Sequence, residues 1–233
     1  RQIFPPYPDR NDVDLHAILH PAKEVGGDLY DFYMDGNHLY FLIGDVSGKG
    51  VPASLFMAIT RSLFRTLSQH VLSPAKIVTE MNNSISDNNE SNMFVTLIVG
   101  ILDLETGILK LCNAGHNPPI LIYPDGQVSY LEFKTQIFVG VVEDFKYSDE
   151  EVVLEKESKL FLYTDGVTEA ENINKELYGE EKLLEMLSDN ASSDVRTTVN
   201  VVVDSIASHV KEAEASDDLT ILLIQYEPGT ANS

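Results

Sequence analysis

A chain of 233 residues with 43% hydrophobic and 23% charged residues has the composition of an ordinary soluble globular protein, and its length suits one compact domain spanning residues 1–233. The 37 acidic residues outnumber the 16 basic ones and give a formal net charge of −21, which argues against nucleic acid and against direct membrane contact as partners. No apolar run approaches the roughly 18 residues that a membrane-spanning helix needs.

The cysteine content and the first residue bear on where the protein works. Cys112 is the single cysteine, which excludes an internal disulfide and favours a reducing, cytoplasmic location. It lies in an apolar run at 109–112, so we expect a buried and unreactive thiol. The chain begins with Arg1 and shows no signal peptide, so we expect a piece of a longer protein with an N-terminal sensor or regulatory region.

The chain opens with extended segments. Apolar and polar residues alternate at 13–19 as on a half-buried strand, and segments 29–34 and 38–44 flank an Asp-Gly-Asn turn that is typical of a hairpin. Predicted strands therefore frame the first glycine-rich segment, residues 25–28.

Two helices follow the hairpin. The first starts after Gly50, with Pro52 in its first turn, and repeats apolar residues every four positions. The second starts at Ser73 and ends in the Asn- and Ser-rich stretch 82–92. The apolar positions behind these predictions are Leu55, Ile59, Leu63 and Leu67 in the first helix and Ile77, Val78, Met81 and Ile85 in the second.

The rest of the chain predicts an antiparallel meander, a second pair of helices and a final strand without a downstream partner, which we expect to insert beside earlier strands. The predicted strands are 93–103, 108–113, 120–123, 127–132, 151–154, 159–163 and 219–226, and the predicted helices are 180–187 and 194–210. Many antiparallel strands with two separated helix pairs indicate an α+β fold, in which two antiparallel sheets pack face to face and a helix pair covers each outer surface. This is an α/β/β/α sandwich.

The residues that carry chemistry are acidic side chains at the ends of predicted strands, in three of four segments beside glycine. They lie in Gly26-Gly27-Asp28, Gly44-Asp45-Val46, Thr164-Asp165-Gly166 and Ser216-Asp217-Asp218. A strand end fixes the backbone of such a carboxylate while its side chain projects from the sheet, and hard divalent cations prefer carboxylate and carbonyl oxygens. Each segment alone is also an ordinary turn sequence, but four of them at four strand ends indicate a metal centre.

Three other kinds of site are disfavoured. Segment 44–50 has three residues between its glycines and ends in Lys-Gly, whereas a phosphate-binding P-loop needs four residues and a Ser or Thr after the lysine. The Gly-x-Ser-x-Gly elbow of serine hydrolases is absent, and the six histidines are scattered without zinc-ligand spacing.

In their order along the chain, these motifs resemble the bacterial branch of the metal-dependent protein phosphatase 2C superfamily, typified by sporulation stage II protein E and by phosphatases that regulate stress sigma factors. The matching segments are 21–28, 44–50, 113–119, 164–166 and 217–220, so the resemblance covers nearly the whole chain. It implies the same α/β/β/α sandwich and a serine/threonine phosphoprotein phosphatase. It also implies a phosphorylated regulatory protein, such as an anti-sigma-factor antagonist, as substrate, and a dimer in the full-length protein.

The resemblance further implies a site. Asp45 would bridge two Mn²⁺ or Mg²⁺ ions with the Val46 carbonyl completing one coordination shell, Asp28 would serve the second ion, and Asp165 would serve the first. The pair Asp217 and Asp218 would also serve the first ion. We favour Asp217 as the direct ligand, because eukaryotic members carry Asp-Asn at these two positions. Asp45 and Asp165 would be the catalytic residues, since through the cations they activate the attacking water.

Three further residues have less defined roles. We expect Asp31 to hydrogen-bond within its loop rather than to contact metal, and His116 to be structural rather than a proton donor. Lys49 faces either phosphate or solvent.

A pseudo-phosphatase that uses the fold for binding alone is the alternative function, but the candidate ligands are all present. In the family, the equivalent of helices 51–87 is thought to act as a switch.

Overall fold

The computed structural model describes residues 6–22, 26–87, 89 and 92–227. Lys23, Glu24 and Val25 of the glycine-rich motif, and part of the stretch 82–92, lie outside these ranges. In chain order the elements are β1 (Val13–His20), β2 (Asp28–Asp35), β3 (His38–Val46), α1 (Val51–Leu67), α2 (Pro74–Ser86), β4 (Val95–Asp103), β5 (Ile108–Ala114), β6 (Ile120–Ile122), β7 (Val128–Tyr130), β8 (Glu150–Val153), β9 (Lys159–Tyr163), α3 (Glu180–Asp189), α4 (Val195–Val210) and β10 (Leu219–Tyr226). No helix among the described residues is long and apolar enough to cross a bilayer.

The strands form two antiparallel five-stranded sheets. One has the order β1-β10-β9-β6-β7 and is called the β10 sheet here, and the other has the order β2-β3-β4-β5-β8 and is called the β3 sheet. The last strand lies between β1 and β9, as its missing downstream partner predicted. The α/β/β/α sandwich predicted from the sequence is therefore confirmed.

Three apolar layers hold the sandwich together. Between the sheets, side chains such as Phe41 of β3 and Leu222 of β10 interdigitate. The outer face of the β3 sheet packs against α1 and α2 through residues such as Phe64, and α3 and α4 cover the β10 sheet through residues such as Val202. Each sheet is thus apolar on both faces, which leaves its strand ends as the place where polar side chains can gather.

Helix α1 buries a different face from the one the sequence suggested. Thr60 and Phe64 are fully buried, whereas Leu55 and Ile59 are 62% and 55% exposed. An α-helix has 3.6 residues per turn, so a spacing of four residues advances about 40° at each step and the apolar stripe winds around the helix. Its first half consequently faces solvent, while Leu63 packs against the core beneath.

A buried carboxylate ties α1 to β2. The side chain of Asp31 has no exposed surface, and it accepts hydrogen bonds from Arg65 Nε (2.6 Å) and Arg65 Nη2 (2.6 Å) and from Arg61 Nε (3.1 Å). Arg65 Nη2 also donates to the Phe32 carbonyl at 2.9 Å. Asp31 also accepts a hydrogen bond from the adjacent Phe32 N at 2.9 Å. It therefore bonds protein groups, as expected, but its side-chain partners lie on α1 and not within its own loop. These bonds anchor the second half of α1 to the strand that begins at Asp28.

We predict that Arg65→Met lowers the free energy of unfolding by about 3 kcal/mol, because it removes the bidentate partner of a buried charge. Urea denaturation measures this loss. Arg196→Met, at an exposed arginine of α4, is the matched control. The double variant Asp31→Asn/Arg65→Met should recover part of the loss, since both charges are then removed. Equal stability of the Arg65 and Arg196 variants would contradict the proposed anchor.

Candidate metal centre

The four carboxylate segments predicted from the sequence meet at one edge of the sandwich. Asp28 and Asp45 are directly opposite each other in the antiparallel pair β2–β3. Asp165 follows β9 and Asp217 precedes β10, and these two strands are also neighbours. A small cavity of about 20 Å³ marks the meeting point, and it is lined by Ala22, Gly26, Gly27, Asp45, Gly48, Lys49, Ser216, Asp217 and Asp218.

Gly27 allows the glycine-rich segment to approach the end of β3. A Cβ atom at this position would lie 2.8 Å from the Val46 carbonyl oxygen and 3.2 Å from Asp45 Oδ1, which is too close for any other residue without a shift. The Gly27 carbonyl in turn accepts from Val46 N at 3.3 Å. The two predicted ligand oxygens of β3, those of Asp45 and Val46, are thereby held next to this backbone.

Asp28 is a buried carboxylate held by two threonines from the other sheet. Its Oδ2 accepts hydrogen bonds from Thr164 Oγ1 at 2.7 Å and from Thr220 Oγ1 at 2.6 Å. Burial raises the pKa of Asp28 well above its ordinary value, the two hydroxyls lower it, and repulsion from Asp45 and Asp218 adds to the rise. Sequence reasoning did not single out these threonines, although both belong to the Thr-Asp-Gly and Asp-Asp-Leu-Thr motifs.

Asp218 binds backbone amides. Its Oδ1 accepts from Ala22 N at 2.8 Å, and its Oδ2 accepts from Gly27 N at 2.8 Å and from Asp28 N at 3.4 Å. These bonds consume much of its acceptor capacity and fix the glycine-rich segment. Asp217, in contrast, has a side chain that is 47% exposed and pairs with Lys49 Nζ at 3.1 Å. This division of roles supports the prediction that Asp217 is the direct ligand.

Burial and repulsion between carboxylates disfavour the ionised forms of Asp45 and Asp165. Burial, followed by repulsion from Asp165, Asp217 and Asp218, raises the pKa of Asp45 to about 7, and a hydrogen bond with Asp28 lowers it in part. Burial and repulsion from Asp217 likewise raise the pKa of Asp165. The Lys49 ammonium, which also donates to the Ser216 carbonyl at 3.1 Å, lowers the pKa of Asp165 and so offsets part of this effect.

The donor set suits hard divalent cations. Among residues 6–22, 26–87, 89 and 92–227, no three His, Cys, Asp or Glu side chains are already arranged to hold a metal ion. The available donors are carboxylate and carbonyl oxygens, which Mg²⁺ and Mn²⁺ prefer, and the repulsion among Asp45, Asp165 and Asp217 is what a divalent cation would relieve. Asp28 and Asp218 share their oxygens with hydroxyls and amides. The metal roles of Asp28, Asp218 and the other four residues of the set, Asp45, Val46, Asp165 and Asp217, are predictions.

His116 is a structural residue, as expected. Its ring is buried between Thr96 Oγ1, 3.0 Å from Nδ1, and the Tyr163 carbonyl, 3.0 Å from Nε2. Burial lowers the pKa of His116 to about 4, so the ring is neutral near pH 7. It fastens the turn after β5 to the end of β9. Cys112 is also fully buried, and burial raises the pKa of its thiol, in agreement with an unreactive role.

The sequence and the fold both match known proteins. The family model described as stage II sporulation protein E (SpoIIE) matches residues 35–227. The phosphoserine phosphatase RsbU of Bacillus subtilis is 27% identical over 94% of this chain and 64% of its own length. Four curated relatives are matched over 36% to 64% of their lengths, so this chain corresponds to part of each.

Solved structures share the fold. The SiaA-PP2C domain of Pseudomonas aeruginosa superposes with a TM-score of 0.82 at 22% identity, covering 91% of this chain and 86% of that domain. RsbX in complex with magnesium superposes with a TM-score of 0.72 at 18% identity, covering 95% of this chain and 99% of its own. At 22% and 18% sequence identity, these superpositions show that this chain shares the fold of both structures.

We predict that Asp45→Asn stabilises the metal-free protein at pH 8.5. The folded-state pKa of Asp45 is raised above its unfolded value, so its contribution to stability is lost as the pH rises through the folded pKa, and an uncharged amide escapes that loss. We expect a gain of about 1 kcal/mol, or roughly 2–4 °C in Tm.

Thermal unfolding in the presence of a chelator measures this gain, with Asp204→Asn on the exposed side of α4 as the matched control. At pH 5 the gain should shrink, because Asp45 is then largely protonated in the folded state. An Asp45→Asn variant that is less stable than wild type at pH 8.5 would show that the carboxylates do not repel one another.

Proposed function

This chain belongs to the stage II sporulation protein E (SpoIIE) family, and from that premise we propose that it is a metal-dependent phosphatase acting on phosphoserine or phosphothreonine in a regulatory protein. The observation that carries the proposal is the gathering of Asp45, Asp165 and Asp217 at one edge of the sandwich, where Asp45 and Asp217 line a small cavity and the charges of Asp165 and Asp217 act on Asp45. The similarity to RsbU, whose name is phosphoserine phosphatase, supports the reaction class. An anti-sigma-factor antagonist is the kind of substrate that the resemblance implies.

Two divalent cations, Mn²⁺ or Mg²⁺, would supply a water of lowered pKa and offset the charge of the phosphoryl oxygens. The magnesium in the RsbX complex supports this choice of metal. Asp45 would hold both ions, the Val46 carbonyl would contribute to the coordination of one of them, and Asp165 and Asp217 would hold the first. Asp28 would serve the second ion while the two threonine hydroxyls keep its Oδ2 oriented.

The protein itself contributes orientation and charge. Asp218 fixes the glycine-rich segment through backbone amides, and the lack of a side chain at Gly27 allows this backbone to lie next to the Asp45 and Val46 oxygens. Lys49 brings a positive charge to the centre, where it now pairs with Asp217. With Asp217 serving a cation, the Lys49 ammonium would be available to phosphate oxygens. This assigns to Lys49 the anchoring of phosphate, for which the sequence offers no arginine near the N-terminal motif.

The first prediction from this function concerns the requirement for metal. We expect the purified chain to hydrolyse a simple aryl phosphate only after Mn²⁺ or Mg²⁺ is added, because no side chain replaces the activated water. A colorimetric assay with and without a chelator measures it. Undiminished hydrolysis in excess chelator would contradict the mechanism, and no hydrolysis under any condition would favour a binding-only role for the fold.

The second prediction concerns the carboxylates. Asp45→Asn and Asp165→Asn should each lower kcat by about a hundredfold or more, equivalent to about 3 kcal/mol, because each removes a charge that positions the cations. Asp204→Asn should leave kcat unchanged, since this residue lies on the exposed side of α4. If both site variants keep near-normal rates, the reaction takes place elsewhere on the molecule.

We also propose that α1 controls the centre in the full-length protein. Ser54 Oγ, in the first turn of α1, donates to the Gly26 carbonyl at 2.9 Å, so the helix is bonded to the glycine-rich segment. The neighbouring Val51, Leu55 and Ile59 are 64%, 62% and 55% exposed, which leaves an apolar stripe available to a second copy of the chain. The dimer implied by the family resemblance would then fix the position of α1.

For the isolated chain, we expect Mn²⁺ binding only at about 100 μM or above, because an equilibrium biased about 99:1 against the competent arrangement weakens apparent affinity about a hundredfold. Calorimetry measures the affinity. Fusion of a coiled coil to the N-terminus should raise both affinity and activity, and Leu55→Glu should abolish that gain. Tight binding by the monomer, with no gain on fusion, would show that α1 only packs on the sheet.

A further inference from the structure

An apolar cavity of about 190 Å³ lies beside the acidic cavity and shares Ser216 and Asp217 with it. Helix α4 forms one wall through side chains that include Val203, Ile206 and Ala207. The turn after β9, at Gly166 to Glu171, the end of β1 at His20 and Pro21, and the segment before β10 form the others. The mechanism proposed above does not use this cavity.

The cavity has the size of one side chain. Sites for drug-sized ligands usually exceed about 300 Å³, whereas an apolar cavity of about 150 Å³ holds a benzene molecule. Its inner surface is formed by residues such as Ile206 and Ala170, which are 4% and 7% exposed. Burial of a large aliphatic side chain here would remove apolar surface from water on both partners.

The charges at the rim restrict the occupant. Glu171, Glu214 and Asp217 line the cavity together with His20, and Glu171 pairs with Lys175 at 2.7 Å while Asp217 pairs with Lys49 at 3.1 Å. The whole chain carries a net charge of −21. An acidic side chain would be repelled from this opening, whereas an uncharged aliphatic side chain enters without electrostatic cost. A basic residue next to it on the same peptide would be attracted by Glu214 and by the net negative charge of the chain.

We propose that this cavity is a specificity subsite, which binds a leucine, isoleucine or methionine located within two residues of the phosphorylated serine or threonine. The inference rests on the proposed phosphatase function. Extended peptides advance about 3.3 Å per residue, so a peptide whose phosphoryl group lies at the acidic cavity places its neighbouring side chains along the shared wall of Ser216 and Asp217. The segment before β10 would thus serve both catalysis and selection.

A set of phosphoserine peptides tests the subsite. Each peptide has a glycine, serine and lysine background and carries leucine or glycine at one of the four positions within two residues of the phosphoserine. We expect leucine at one of these positions to raise kcat/KM about tenfold or more. Equal kcat/KM for all peptides would overturn the subsite, whereas failure to hydrolyse even an aryl phosphate with Mn²⁺ would instead overturn the proposed function.

Two variants of α4 assign the preference to this cavity. Ala207 is exposed at the cavity wall, so Ala207→Phe fills the space without entering the core, and it should bring the leucine-to-glycine ratio of kcat/KM close to one. Ser208→Phe, at the adjacent exposed residue outside the cavity, should keep the wild-type ratio. Circular dichroism confirms that both variants are folded. A leucine preference that survives Ala207→Phe would place the selection elsewhere.

Discussion

The Asp28 carboxylate joins the two halves of the sandwich at the centre of the candidate site. It starts β2 of the β3 sheet, and its Oδ2 accepts hydrogen bonds from Thr164 and Thr220, which belong to the side of the β10 sheet. Thr220 N also donates to Thr164 Oγ1 at 3.0 Å, so the bonds form a small connected network. A buried polar network of this kind allows only one relative placement of the sheets without leaving a polar group unpaired. The carboxylates of Asp45 and Asp165 are positioned by that placement.

The same placement concentrates like charge where water is scarce. Burial and mutual repulsion raise the pKa of Asp45 and Asp165, and Lys49 is a modest counter-charge because its side chain is 57% exposed. The large apolar layers on both sides of each sheet stabilise the fold and offset the cost of burying these carboxylates close together. Destabilisation of this kind is common at functional sites, because groups arranged for chemistry are seldom arranged for stability.

The two helix pairs flank the centre differently. On the β3 side, the Asp31 ion pairs hold the second half of α1 against β2, and the bond from Ser54 to Gly26 connects its first turn to the glycine-rich segment. On the β10 side, α4 stands apart from the loop before β10 and leaves the cavity that Ile206 and Ala207 line. The proposed control by α1 therefore acts from the β3 side, and the proposed specificity subsite lies on the β10 side.

The sequence by itself determined the order and type of the elements and the carboxylate segments, because hydrophobic periodicity and glycine-bounded strand ends are local signals. It placed β9 and β10 correctly at 159–163 and 219–226, and Ser73 as the start of α2. Only the tertiary structure decided that Leu55 and Ile59 face solvent, that Asp31 pairs with α1, and that Asp217 is accessible while Asp218 binds amides. These outcomes depend on which side chains from distant segments compete for the same oxygen or the same surface, and no local pattern records that competition.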